Sequence, residues 1–145
     1  MTALAHHRGT AQDGRRLVPL DEAECWDLLR GQRVGRLVYT EAVLPAVVPV
    51  AFTVVGGDVV VAATPGDKVT AAVRGAVVAF EVDQADREAR TGWSVTAVGP
   101  ARVLADPHLA ARLRADGLVP WAPSPLATYL AVAVQVVSGR ALVRG

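Results

Sequence analysis

The alternation of apolar and polar positions along this chain mostly has a period of two, which is typical of strands that bury one face. In the stretch that follows Arg33, Gly35, Leu37 and Tyr39 would face one side of a sheet and their neighbours the other. The fourth predicted strand is nearly all apolar, which favours a central position in the sheet. Six strands are predicted, over residues 33–40, 44–55, 59–63, 76–83, 93–104 and 127–137.

Short helical segments separate some of these strands. Asp21 followed by Glu24 is a capping-box pattern, so a helix is predicted to begin just after Asp21. Residues 68–74 form a second short helix, and Asp106 with a proline after it marks the start of a third. The pair Gly56-Gly57 between two strand patterns predicts a hairpin turn.

The order of these elements indicates the fold class. Helices this short cannot cover both faces of a parallel sheet, and the hairpin indicates antiparallel pairing. Closing the strands on themselves would remove exposed sheet edges. The sequence therefore predicts a mainly β fold, a six-stranded antiparallel split β-barrel with short peripheral helices, over residues 19–145. The polar residues 1–18 are predicted to be a flexible N-terminal tail.

Charge and composition narrow the function classes. The chain has 145 residues, a net charge of +1 and no basic stripe, which argues against a nucleic-acid partner. Its longest apolar stretch, residues 43–55, is interrupted by Pro45 and Pro49 and falls short of the roughly 20 residues that span a bilayer. No apolar signal-peptide core precedes the first helix, and Cys25 is the only cysteine. A cytoplasmic protein without a membrane segment is therefore expected.

The side chains that hydrolytic and zinc enzymes use do not form a recognisable motif. His6 and His7 lie in the predicted tail, His108 lies in a predicted helix, and no spacing matches a metal site. The chain has no nucleophile-elbow motif and no dinucleotide-binding glycine motif after a strand. We therefore assign no catalytic residue and no metal site from the sequence.

Two local patterns suggest a ligand, and each has a purely structural alternative. Thr64, Gly66 and Lys68 surround a strand-to-helix turn and could together hold a phosphate, or form an ordinary turn with a solvated lysine. Trp93 and Ser94 open a strand and would offer a ring-packing surface beside a hydroxyl group, or only a core tryptophan.

An arginine within a predicted strand needs either water or a partner for its charge. Arg36 is such a residue, and pairing with Glu81 or Asp83 on a neighbouring strand would explain it structurally. Binding of an anion is the functional alternative.

Several stretches of the chain occur in an order that is more specific than any one of them. They are LDEAECWDLL, VGRLVY, PAVVPVAF, VVVAATPGDK, VAFEVD and TGWSVTAVGPARVL, followed by VPWAP and SGRAL. Through these stretches, residues 19–142 resemble the actinobacterial branch of the pyridoxamine 5′-phosphate oxidase-like proteins, a superfamily of FMN-binding split barrels.

The resemblance implies a homodimer with two cofactor sites at the interface, FMN as the cofactor and a small-molecule substrate. It also places Trp121 and Arg140 where a partner subunit could complete the site. The implied cofactor contacts come from the P-V-x-F strand, the loop ending in lysine and the strand with W-S-V. In this chain they are Pro49, Val50, Ala51, Phe52, Thr64, Lys68, Trp93, Ser94 and Val95.

The chain also departs from the pattern of that family. Relatives often have asparagine where Ala51 stands, no second basic residue adjoins Lys68, and an arginine- and lysine-rich substrate site is missing. The leading expectation is a flavin-binding oxidoreductase that transfers hydride through the flavin. A non-catalytic split barrel that binds a flavin, a deazaflavin or haem is the alternative, and a barrel with an empty site is a third.

Overall fold

The computed structural model describes residues 14–145. Within this range the chain forms eight strands and three helices. In chain order they are β1 (Arg15–Leu20), α1 (Glu22–Arg30), β2 (Val34–Glu41), β3 (Leu44–Val55), β4 (Asp58–Ala63), α2 (Lys68–Val73), β5 (Val77–Asp86), β6 (Thr91–Val103), α3 (Pro107–Ala115), β7 (Thr128–Ala133) and β8 (Val136–Arg144).

Six of the strands form a closed ring. They pair antiparallel in the order β6-β5-β2-β3-β4-β7, and β7 pairs back with β6 to close the ring. The predicted antiparallel split barrel is therefore confirmed, and β5 has the central position expected of its apolar sequence. The prediction of six strands in total is wrong, because β8 pairs with β6 outside the ring and β1 pairs with β8.

The two additional strands come from segments whose local pattern did not indicate them. Residues 15–18 were expected in the tail but belong to β1, since β8 supplies a hydrogen-bonding edge for them. The remainder of the predicted tail, residues 1–13, lies outside the described residues. The predicted last strand is divided because the chain turns at Val134 and Gln135, whose N–H groups donate to the carbonyls of Gly57 and Val98. Residues 138–140, expected to turn, continue β8.

The core fills the interior of the ring. Side chains on alternate positions point inward, among them Leu37, Phe80, Val95 and Leu130, all nearly inaccessible to solvent. Phe52 and Phe80 pack with their ring centroids 4.5 Å apart. A second, smaller cluster packs between the outside of β4 and β7 and the helix α3. It contains Val60, Ala62, Leu113, Leu118, Tyr129 and Ala131.

Helix α1 packs against the part of the sheet that contains β8. Its predicted capping box is confirmed: the Glu24 N–H donates to the Asp21 carboxylate at 2.8 Å, and the Asp21 N–H donates to the Glu24 carboxylate at 3.1 Å. Cys25 and Leu29 on its inner face are fully buried. None of the helices in the described part of the chain is long and apolar enough to cross a membrane.

Candidate functional site

A groove opens where two neighbouring strands of the barrel separate. Strand β3 pairs with β2 over residues 44–51, but it pairs with β4 only over residues 52–55. Ahead of that point β3 and the end of β4 diverge and leave a groove of about 270 Å³. The groove is lined by Val48, Pro49, Val50, Ala62, Ala63, Thr64, Asp67, Val69, Pro120, Trp121 and Ala122.

The free edge of β3 supplies backbone polar groups to this groove. The Phe52 N–H donates to the Arg33 carbonyl at 3.0 Å, on the β2 side. Because backbone groups alternate along a strand, those of Pro49 and Ala51 are directed to the opposite edge, towards the groove. A proline fits there because its missing N–H is not needed for the β2 ladder. Val50 instead buries its side chain inside the barrel.

The turn between β4 and α2 forms one end of the groove. Thr64 and Asp67 line it, and the Asp67 carboxylate accepts a 2.9 Å hydrogen bond from the Thr70 N–H. This carboxylate therefore occupies the helix N terminus that the sequence offered to an anion. Gly66 has φ +75°, a backbone conformation that favours glycine, and a side chain there would meet open space. The glycine is therefore explained by the backbone conformation of the turn and not by close contact with a neighbouring group. Lys68 is exposed beside the groove and does not line it.

Strand β6, which carries Trp93, Ser94 and Val95, lies elsewhere in the barrel. Val95 is fully buried, and Trp93, on the same face of β6, packs partly against the core. Ser94 faces the opposite side, with Arg140 of β8 as its cross-strand neighbour. Ser94, Trp93 and Arg140 adjoin another depression of about 340 Å³ at the start of β6, next to Leu17 of β1. The structure therefore does not bring this group together with the groove in one chain.

The charge of Arg36 is balanced on the outer face of the barrel. Its guanidinium donates to Glu81 at 2.9 Å and to Asp83 at 3.1 Å, which confirms the predicted pairing. Burial and the neighbouring Asp83 raise the pKa of Glu81 above its ordinary value. The hydrogen bond with Glu81 and the Arg36 charge lower the pKa of Asp83, although its partial burial opposes them. Arg36 is thus engaged in an ion cluster and is not available as an anion anchor.

Sequence reasoning missed one wall of the groove. Trp121 was expected to complete a partner's site, but with Pro120 and Ala122 it lines the groove of its own chain. The proline-rich composition of this segment was the only available signal that it is stiff. Phe52, by contrast, was expected in the site and is a core residue with 3% of its surface exposed.

The groove is suited to a flat, largely apolar ligand. Valine, alanine and proline side chains form most of its walls, and its polar groups are the free β3 edge, the Thr64 hydroxyl and the Asp67 carboxylate. Across residues 14–145, no group of three or more His, Cys, Asp and Glu side chains could hold a metal ion. The groove therefore offers binding and positioning, and Asp67 is its one titratable side chain.

Comparison with known proteins extends these observations. The uncharacterized protein Rv0080 of Mycobacterium tuberculosis (strain ATCC 25618 / H37Rv) is 39% identical over 137 residues, which cover 91% of this chain and 90% of that protein. An FAD-binding protein of Mycobacterium smegmatis is 28% identical, with a TM-score of 0.68 over 86% of this chain and 97% of the other. A FAD-binding protein of Mesorhizobium loti is 25% identical, with a TM-score of 0.69 over 90% and 99%.

The comparison with protein families covers most of the described chain. The sequence profile of the pyridoxamine 5′-phosphate oxidase family matches residues 21–141, from the cap of α1 to β8. This stretch contains every strand of the closed ring and all the residues that line the groove. The chain therefore belongs to the pyridoxamine 5′-phosphate oxidase family.

Proposed function

We propose that this protein binds a flavin, with the ring in the groove between β3 and β4, and acts as a flavin-dependent oxidoreductase on a small molecule. The observation that carries the proposal is the groove itself: apolar walls next to a strand edge whose backbone groups lack a ladder partner. The FAD-binding proteins of M. smegmatis and M. loti, which share this fold at 28% and 25% identity, support a flavin as the ligand.

The polar groups of the groove match the needs of a flavin ring. Its edge carries hydrogen-bond donors and acceptors, which the Ala51 N–H and the Pro49 carbonyl on the free β3 edge would satisfy. Its faces are apolar, as are the side chains of Val48 and Ala62. A bound flavin would supply hydride transfer, whereas the protein would position the ring and exclude water from it.

The phosphate of the cofactor would lie near the start of α2. Thr64 offers a hydroxyl group at the end of the groove, and Lys68, the single lysine of the chain, lies just beyond it. One ammonium group suits the single phosphate of FMN, so we propose FMN as the cofactor and FAD as its competitor. Asp67 disfavours a second negative charge inside the groove, which supports a phosphate position outside it, towards Lys68.

We also propose a homodimer with the cofactor sites at its interface. Val47, Val38, Ala79, Val98 and Val136 are register neighbours in one row across five strands, on the outer face of the barrel. Val47 and Val136 are about 60% exposed, and a continuous apolar row of this kind is typical of a protein contact. Val47→Asp should give monomers in sedimentation, whereas Val119→Asp, at another half-exposed valine, should not.

The alternative cofactors make different demands on the groove. Haem needs an axial ligand from histidine, cysteine, methionine or tyrosine, and none of these lines the groove in the described chain. A deazaflavin has the same flat ring as a flavin and remains the closer competitor. A flavin carrier without catalytic turnover would use the same groove. Anaerobic reduction by a nicotinamide donor followed by reoxidation by an acceptor distinguishes the two, because steady turnover supports the enzyme.

The cofactor proposal is tested by titrating the purified protein with FMN, FAD, a deazaflavin and hemin. Lys68→Ala should weaken FMN binding about tenfold, the effect of one charged hydrogen bond. Arg74→Ala removes the same charge at the other end of α2 and is the matched control. Because the chain has one lysine, amine-directed labelling followed by peptide mapping also reports on Lys68, and saturating FMN should slow its modification. Equal affinity in both variants would remove Lys68 from the site.

A further inference from the structure

One of the three tryptophans is placed differently from the other two. Trp26 and Trp93 are partly buried and pack against the main core. Trp121 is more exposed than either of them, with 60% of its surface accessible to solvent. An indole is costly to expose because it is large and mostly apolar, so a position outside the core calls for another explanation.

The segment that carries Trp121 is anchored to β7 before the indole and forms a local turn after it. Before it, the Leu118 carbonyl accepts a 2.6 Å hydrogen bond from the buried Tyr129 hydroxyl of β7. After it, the Ser124 hydroxyl donates to the Leu126 carbonyl at 2.8 Å. Pro120 is buried, and Pro123 and Pro125 restrict the backbone further. The exposed indole is therefore presented on a stiff segment, which lowers the entropic cost of binding a ligand against it.

The position of the indole relates it to the groove. Trp121 lines the groove together with Val48, Pro49 and Val50 of β3 and with the end of β4. Among the groove-lining residues of the described chain it is the one aromatic side chain. The other walls are aliphatic, so a flat conjugated ring in the groove would find its stacking surface only at Trp121.

We propose that Trp121 forms an aromatic wall of the ring site in its own chain and determines the preference of this site for a flat conjugated ligand. This inference rests on the proposed function, since the ligand it names is the flavin ring. It differs from the sequence-based expectation, in which Trp121 would reach the site of a partner subunit. It also separates Trp121 from Trp93, which packs towards the core.

The experiment compares Trp121→Leu and Trp121→Phe with the unaltered protein, and uses Trp26→Phe as the control at a core-packed tryptophan. Each protein is titrated with FMN, and both the dissociation constant and the emission of the bound flavin are measured. Trp121→Leu should weaken binding about tenfold, the scale of one aromatic stacking contact. Trp121→Phe should bind more tightly than Trp121→Leu, and both should raise the emission, because a stacked indole quenches flavin fluorescence.

The outcomes separate the inference from the function on which it rests. Unchanged affinity and emission in both Trp121 variants, with FMN bound by the unaltered protein, would overturn the role of Trp121 and leave flavin binding intact. No binding by the unaltered protein would overturn both. A Trp121→Leu variant that dissociates into monomers but keeps its affinity and quenching would make Trp121 an interface residue, and would also overturn the inference.

Discussion

The Arg36 guanidinium lies 2.9 Å from the Glu81 carboxylate, and these two residues are also register partners on β2 and β5. The same nitrogen lies 3.1 Å from Asp83, so one cation serves two carboxylates on the outer face of the barrel. The same face carries the continuous apolar row described above. That row crosses β2 at Val38, two residues after Arg36. A charged cluster therefore lies directly beside the apolar surface that we propose as the contact between two subunits.

Arg36→Met should destabilise the barrel because it leaves Glu81 and Asp83 facing each other without a cation. The Arg36 side chain is half exposed, so water screens the loss, and we expect about 1 kcal/mol or less in the free energy of unfolding by urea. Arg102→Met is the matched control, since Arg102 is equally exposed and pairs with Asp58 alone. An equal or larger loss in the control would show that the second carboxylate contributes nothing.

The pH dependence of stability should show opposite signs at the two carboxylates. Glu81 has a raised pKa, so its contribution to stability is complete below its ordinary pKa and is lost as pH rises through the raised value. Glu81→Gln cannot ionise, and this variant should therefore gain stability relative to the unaltered protein as pH rises through that range. Urea unfolding at several pH values measures this difference.

Asp83 provides the opposite case in the same cluster. Its pKa is lowered, so its contribution is present above its ordinary value and is lost as pH falls through the lowered one. Asp83→Asn should be less stable than the unaltered protein near neutral pH, and the deficit should shrink on acidification. Parallel pH profiles for the two variants would contradict the opposite pKa shifts of Glu81 and Asp83.

Local patterns in the sequence were sufficient to predict most of the strands and helices of the barrel. The capping box at Asp21 and the helix N-cap at Asp106 depend on neighbours within one turn, and both occur in the structure. The alternation around Leu37 likewise separated the two faces of β2, and the face with Leu37 is the buried one. Strand β1 could not be inferred in this way, because Pro19 and two arginines give it a weak pattern and its pairing partner is β8, at the far end of the chain.

The candidate site was only partly accessible to sequence reasoning. The resemblance to a family singled out Pro49, Val50 and Thr64, and the structure brings these residues together. Alternation along β6 places Ser94 on the opposite face from Trp93 and Val95, so these three residues do not share one surface of the strand. Trp121 reaches the groove through a loop between α3 and β7, and no local pattern encodes where such a loop lies.

Gly35→Ala should be strongly destabilising. An added methyl group at position 35 would overlap the ring of Phe80 and lie 2.9 Å from the Glu81 carbonyl, so the central β2–β5 pair would have to separate. We expect a loss of about 1–3 kcal/mol in the free energy of unfolding, the usual cost of overpacking a core. Gly57→Ala in the hairpin meets open space and should change stability little. Equal midpoints of thermal unfolding for both variants would contradict this interpretation of Gly35.

The Tyr129 hydroxyl links the core to the loop that carries Trp121, so its removal should affect both stability and binding. Tyr129→Phe deletes the buried 2.6 Å hydrogen bond to the Leu118 carbonyl and should lower the free energy of unfolding by about 1 kcal/mol. It should also weaken FMN binding several-fold, because the loop loses one anchor while the groove keeps all its side chains. Titration with FMN, alongside urea unfolding, measures the two effects.

The second tyrosine of the chain is the matched control for this prediction. Tyr39 is also buried, in the main core, and within the described residues its hydroxyl makes no hydrogen bond that Tyr39→Phe would remove. That variant should keep the affinity for FMN. If Tyr129→Phe loses stability but binds FMN as tightly as Tyr39→Phe, the position of the loop does not govern the site. The stiffness of the Trp121 segment would then serve the fold alone.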